Sequence, residues 1–306
     1  MKKFLFPLLV FTALSSCNKE VTPGGDPGAL KEIRLGSGIT GRTKAACDGD
    51  VAIVGLQFLR KDATAAPGDF SGCRAIPGSR ALGGVITFGE AQYYAASGNT
   101  YFVSYFPAGT VRSDVVTWNI DGKTDIMTAA VADAGTNTTP STTASLSYLH
   151  SLAQIEVICR ASVDDNAVQT RWGNITSIRL CDTPTTLCYA YNGLAVTPGV
   201  TKAGIALAAG DYTADFTATA VPPSTNITPD AAGMFVPSAS QSFRMEITTV
   251  AGGTRIVTID LGEGNSLKEG QKHVVTLTFQ PNLKEIGVSS TIEAWTEGAK
   301  GSGTIN

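Results

Sequence analysis

Apolar and polar residues alternate one for one through long stretches of this chain, and no long segment repeats at the 3.6-residue period of an amphipathic helix. In His273-Val274-Val275-Thr276-Leu277-Thr278-Phe279 one face carries Val275, Leu277 and Phe279 while the other carries Thr276 and Thr278. Period two is the mark of a strand with one face buried. The same reading predicts strands at Ile33–Ile39, Val85–Phe88, Thr100–Phe106, Ser147–Cys159, Ile175–Leu180, Asp211–Ala220, Phe243–Val250, Arg255–Leu261 and His273–Gln280. Val51–Leu59 is almost continuously apolar, as expected of a strand buried on both faces. Pro107 ends the strand before it, because proline has no donor for the ladder. Asp121-Gly122 has turn chemistry, Ala63–Gly78 reads as loop, and Ala91–Ser97 is expected to be a short helix. Short strands separated by turns predict an all-β protein built of β-sandwich domains.

Composition agrees. The 306 residues include 33 Gly, and 16% are charged, against about 25% in an ordinary soluble domain. The length suits about two domains of roughly 150 residues each. The polar stretch Asp133–Thr143 (DAGTNTTPSTT) is the natural boundary. The expected organisation is an N-terminal sandwich over residues 30–140, a C-terminal sandwich over 141–283, and a further segment over 284–306. A formal charge of −3 excludes a basic nucleic-acid binder.

Residues 1–16 read as a signal peptide. Lys2 and Lys3 form a basic start, Phe4–Ala13 an apolar core too short to cross a bilayer. Leu14-Ser15-Ser16-Cys17 then has the form of a lipobox, in which the thiol of Cys17 is the acyl acceptor. Several acyl chains on Cys17, palmitate among them, would anchor the chain firmly to the outer membrane. Loss of residues 1–16 leaves 21 basic against 26 acidic residues, a charge of −5. Residues 17–29, rich in Gly and Pro, form a flexible tether.

Five cysteines follow Cys17. Cys181 and Cys188 flank a turn-like DTPTTL and could form a local disulfide outside the cytoplasm, or could be two buried thiols. No CxxC is present and the chain has two histidines, so no zinc constellation is expected. Asp121, Asp125, Asp164 and Asp165 lack calcium-loop spacing. Gly36-Ser37-Gly38-Ile39-Thr40-Gly41 matches GxGxxG, but no helix follows to receive a pyrophosphate, so no cofactor is expected. His150 reads as a hydrogen-bonded structural histidine. Trp118, Trp172 and Trp295 read as core or interface residues rather than a sugar platform. Nucleophile, base and orienter cannot be picked out, which argues against an enzyme.

Two segments are informative together. The strand at Ile33–Ile39 is followed by Gly41-Arg42-Thr43-Lys44, where a trypsin-like protease could cut after Arg42 to leave Thr43 as the new N-terminus. The C-terminal segment places Ile286, Val288, Ile292 and Ala294 on one parity. Loss of the first strand would leave an unpaired edge, and the last could fill such an edge in a neighbour by strand addition. The simpler reading makes both ordinary edge strands of their own domains.

The chain resembles the fimbrillin family, the Mfa-like type V pilin lipoproteins of Gram-negative anaerobes, over most of its length. The resemblance rests on the lipobox at Cys17 and the first strand with Arg42-Thr43. It continues through Tyr101–Pro107, Thr124–Ala129 and Leu149–Val157, then Leu267–His273 and Ile292–Trp295 with Gly298. His273 stands where the family usually has Tyr. The resemblance implies two tandem transthyretin-like β-sandwich domains. It further implies export as a lipoprotein, cleavage after an Arg that matches Arg42 here, and polymerisation by donor-strand exchange with other pilin subunits. Ile286–Ala294 is the matching donor strand, and the protein would be an adhesive subunit of a cell-surface fimbrium. The alternative is a monomeric surface lipoprotein that binds glycan or host protein through its loops.

Overall fold

The structure, a computed structural model, describes residues 31–40, 51–162, 165–207, 226–281 and 286–294. These hold nineteen strands and one α-helix, numbered here in chain order. The largest sheet has seven strands in the order β1 (Gly36–Thr40), β9 (Ser145–His150), β8 (Met127–Asp133), β5 (Asn99–Phe106), β2 (Ile53–Ala63), β3 (Ile76–Arg80) and β4 (Ile86–Phe88). A second sheet runs β13 (Val196–Pro198), β12 (Thr186–Ala190), β7 (Val115–Asn119), β6 (Thr110–Arg112). A third runs β15 (Asn226–Phe235), β10 (Ala153–Ala161), β18 (Gln271–Phe279), β19 (Ile286–Ala294). A fourth runs β14 (Lys202–Ala206), β11 (Ile175–Pro184), β16 (Ser242–Thr249), β17 (Gly253–Asp260). Helix α1 (Asp165–Trp172) lies between β10 and β11 in the chain.

The core follows from the alternation. At the centre of the large sheet, β5 sends Phe102 to one side, into a cluster with Ile33, Leu35, Leu56, Phe58 and Tyr148. Its other face carries Tyr101, Val103 and Tyr105 into a second cluster. That cluster continues through Trp118 and Tyr189 on the second sheet, and Tyr191 just after β12, to Val157, Leu277 and Ile247 of the last two sheets. Tyr105 and Tyr191 join their hydroxyls at 3.0 Å. The Trp118 indole donates to the Pro107 carbonyl at 2.8 Å and the Trp172 indole to Gln280 at 3.0 Å. Both rings are therefore satisfied core residues; Trp295 lies outside the described residues.

Several sequence expectations are revised. The boundary at 140/141 does not separate the sheets. Asp133–Thr143 spans a hairpin inside the large sheet, with β8 and β9 paired antiparallel on either side. Its threonines close the turn on themselves, the Thr136 hydroxyl accepting from the Thr139 amide at 2.9 Å. The two halves also interleave, because β7 pairs with β12 from Asn119↔Thr186 to Val115↔Ala190. The single strand expected at Ser147–Cys159 is two. His150 ends β9, and Ser151 and Leu152 bond to Ile126 and Gly270 instead of to strands. Ala153 then opens β10 in a different sheet, against Phe235. The buried parity switches there, from Leu146, Tyr148 and His150 to Ala153, Ile155 and Val157, across a run in which residues 150–155 are all buried. Ala91–Ser97 is not a helix; Tyr93 there bridges to Glu32. The strand expected at Asp211–Ala220 lies outside the described residues.

Candidate assembly site

The segment 31–40 occupies a slot at the edge of the large sheet. On one side β1 pairs parallel with β9, from Gly36↔Ser145 to Thr40↔Leu149. On the other side the Ile33 amide donates to the Gln92 carbonyl at 2.7 Å, and the Tyr94 amide to Lys31 at 3.2 Å. The Ile86 amide likewise donates to Leu35 at 3.1 Å. Ile33 and Leu35 are 2% and 4% exposed, and Ile39 packs on the same cluster. Period-two patterning thus sends Ile33, Leu35 and Ile39 inward, and Ser37 shares their parity.

Ser37 is the polar exception, and it is satisfied. Its hydroxyl donates to the Gly84 carbonyl at 2.8 Å and accepts from Arg80 Nε at 3.0 Å. Arg80 is 5% exposed and donates also to the Val51 carbonyl. A buried guanidinium needs such acceptors, because an unpaired buried donor is costly. Gly84 sits at φ +81°, and a Cβ there would stand 2.2 Å from the Ser37 carbonyl oxygen. Backbone therefore passes against backbone, which only glycine allows. Arg80 and Gly84 were not singled out from sequence. They lie more than forty residues from Ser37, and nothing local marks the contact.

The C-terminal strand, β19, pairs antiparallel with β18 of its own chain, from Gln271↔Ala294 to Phe279↔Ile286. Ile286 is buried, Val288 packs on the core, and Ser290 Oγ donates to the Asp260 carbonyl at 2.7 Å. Ser289 and Thr291 are exposed. The parity expected of this strand is the parity seen at Ile286 and Val288. The backbones of Ile292 and Ala294 continue the ladder.

The remaining site residues divide. Cys17, Arg42 and Thr43 lie outside the described residues. Of the two possibilities for Cys181 and Cys188, the structure has the unbridged one: both are free thiols. Cys181 is on β11 and Cys188 on β12, strands of different sheets. Cys188 instead contacts the Thr117 hydroxyl at 3.6 Å, while burial pushes the Cys181 thiol pKa up. Cys159 is fully buried, and desolvation raises its pKa to about 12. His150 is buried at the end of β9, with Nδ1 at 2.6 Å from Asp125 Oδ2. That pair ties β9 to the approach to β8. His273 is 0% exposed and neither ring nitrogen has a hydrogen-bond partner. Burial first, and the Lys268 charge second, hold its pKa below the ordinary histidine value, so the ring is neutral near pH 7. No group of three or more His, Cys, Asp or Glu among the described residues could hold a metal ion.

Known proteins place this architecture. A candidate cell adhesion protein from Bacteroides uniformis superposes with a TM-score of 0.59 at 19% identity, over 87% of this chain and 99% of its own. A second, from Bacteroides ovatus, gives 0.57 at 14% identity, over 88% and 99%. At those identities the likeness is one of fold. No protein with a curated description matches the chain. The model of the fimbrillin-like family matches residues 75–295. That span covers more than half of the chain and reaches past β19, so this chain belongs to the fimbrillin-like family, whose members are structural subunits of cell-surface fimbriae and not enzymes.

Proposed function

We propose that this fimbrial subunit is exported as a lipoprotein acylated on Cys17 and held at the outer membrane. A protease then hydrolyses the Arg42–Thr43 peptide bond, and the subunit joins others by donor-strand exchange through Ile286–Ala294. The observation that carries this reading is the slot around 31–40. That segment precedes Arg42 and is an edge element hydrogen-bonded on both sides. Its loss would expose the β9 edge and the apolar cluster containing Leu146 and Tyr148. An unpaired edge beside an apolar groove is a template for strand addition.

The supporting experiment is a gel of surface-extracted protein with and without heating. The expected result is a heat-labile, detergent-resistant ladder that disappears when the chain is truncated before Lys284. Persistence of the ladder in the truncated chain would overturn donor-strand assembly. The mature N-terminus supplies the second check, with Thr43 expected. One observation favours a different reading. β19 is already paired over nine residues within its own chain, as in a monomeric surface lipoprotein that binds glycan or host protein. An N-terminus at acylated Cys17 together with the absence of a ladder would select that reading.

A further inference from the structure

A cavity opens at the end of the large sheet where β2 begins and β5 ends. Its volume is about 330 Å³, and its wall includes Ile53, Val54, Phe106, Lys123, Thr124 and Asp125. Ligand sites span roughly 300–1,000 Å³, so this one suits a ligand about the size of a single amino-acid residue.

The deepest polar member of the wall is a carboxylate. Asp125 is 1% exposed. Its Oδ2 meets His150 Nδ1 at 2.6 Å, and that ring is its one ion-pair partner among the described residues. Its Oδ1 is buried and has no hydrogen-bond partner. A buried acceptor left bare is costly, so Asp125 holds an unspent oxygen. The rest of the wall near it is apolar. Ile53 belongs to the cluster of Phe102 and Tyr148, and Phe106 packs on that cluster. Val54, 83% exposed, stands at the rim.

The rim also carries a cation. Lys123 is exposed and lies two residues from Asp125. The backbone that bears both is fixed. The Asp121 carboxylate accepts from the Lys123 amide at 2.7 Å, the Thr124 amide at 2.8 Å and the Thr124 hydroxyl at 2.9 Å. The Gly122 carbonyl accepts from the Met234 amide at 3.1 Å. A site on so constrained a segment keeps its charges at a set spacing.

These features define a ligand. A guanidinium or ammonium on an aliphatic stem would spend its charge on Asp125 while the stem lies along Ile53, Val54 and Phe106. A carboxylate at the other end of the ligand would meet Lys123. Within a peptide chain, a residue carries both charges only when it is basic and C-terminal. An internal residue has an amide in place of the carboxylate, and a neutral one lacks the inner charge.

We propose that this cavity binds the C-terminal arginine or lysine of a peptide, its side-chain cation on Asp125 Oδ1 and its terminal carboxylate on Lys123. Val54 and Lys123, exposed at the rim, turn aside to admit it. Hydrolysis of proteins after basic residues is the class of reaction that makes such ends.

Calorimetric titration of the full chain, purified from its own cells, tests this with Nα-acetyl-arginine as the probe. One molecule should bind per chain. Nα-acetyl-arginine amide lacks the carboxylate and should bind about twofold to fivefold more weakly, as befits an exposed ion pair. Nα-acetyl-citrulline lacks the side-chain charge and should bind about tenfold more weakly or worse, as befits a buried one. Lys123→Ala should erase the preference for acid over amide and keep that for arginine over citrulline. Asp125→Asn should erase the preference for arginine over citrulline. Val54→Trp, a change at an exposed position, should fill the mouth and abolish binding, which keeps the test decisive if the Asp125 variant fails to fold. No binding of Nα-acetyl-arginine at millimolar concentration, equal binding of the citrulline compound, or unchanged binding by Val54→Trp would overturn the site. Equal binding of the amide would overturn the role of Lys123 and the C-terminal requirement.

Discussion

β1 and β19 are both edge strands with an apolar face, yet the molecule holds them differently. Residues 31–40 have neighbours on both sides: β9 along one edge, and Ile86, Gln92 and Tyr94 along the other. β19 has a longer ladder, but β18 is its single strand partner. A strand bonded on one side can peel from its end one residue at a time, each step losing little. The segment 31–40 must release the bonds of residues 31–35 to Ile86, Gln92 and Tyr94, then the β9 ladder of residues 36–40, its buried leucine and the Arg80 contact. The difference assigns the roles in the proposed assembly. The doubly held strand needs covalent cutting to leave, whereas the singly held one can exchange.

The largest effect that would break this contrast is at the cleavage site. Arg42→Ala should leave residues 31–40 in their slot, and the detergent-resistant ladder should vanish from gels of surface extracts. A full ladder from that variant would mean that β1 leaves without being cut. Next, Leu35→Ala in the uncleaved chain should lower stability by about 2–5 kcal/mol, the usual result of truncating a buried leucine, read by denaturant unfolding. The same substitution should leave the heat stability of mature polymer unchanged, because residue 35 has been removed. Val288→Ala should show the opposite bias, weakening the polymer by about 1–2 kcal/mol of lost methyl burial per junction.

His273 sharpens the comparison from the β18 side. It lies opposite Ile292 in the β18–β19 ladder and its pKa is held below the ordinary 6.5. The unfolded chain therefore takes up a proton at a higher pH than the native chain does. Stability should be full above pH 6.5 and fall as the pH drops below it, by at most about 1.4 kcal/mol per unit until the native ring also titrates. His273→Leu should flatten that slope in urea midpoints measured from pH 7 downward. The smallest effect is expected far from both edges. Tyr105→Phe removes one buried hydroxyl–hydroxyl bond, about 1 kcal/mol, and should change precursor and polymer alike.

Much of this architecture was legible in the residues, and the exceptions share a cause. β5, β16 and β18 show clear alternation or apolar runs, and their strands fall within a few residues of expectation. The parity of Ile286 and Val288 was equally plain. The step at Ser151-Leu152 was read as one strand, although the inward parity changes there from even to odd residues as the neighbours change from β8 to β15 and β18. The β7–β12 pairing, which joins residues some seventy positions apart, was not plain. Cys181 and Cys188, left open between a bridge and two thiols, are free thiols: close in sequence, they belong to strands that diverge into different sheets.

The sequence by itself determined that this is an all-β protein and which faces of its strands are apolar. Those are local properties, set by period and side-chain chemistry within a few residues. The tertiary structure alone decided which strands pair, that Asp133–Thr143 turns within a sheet instead of dividing two domains, and that Ser37 meets Arg80 and Gly84. Such choices are made by contacts between distant residues, whose free energy appears only when the sheets close on a common core.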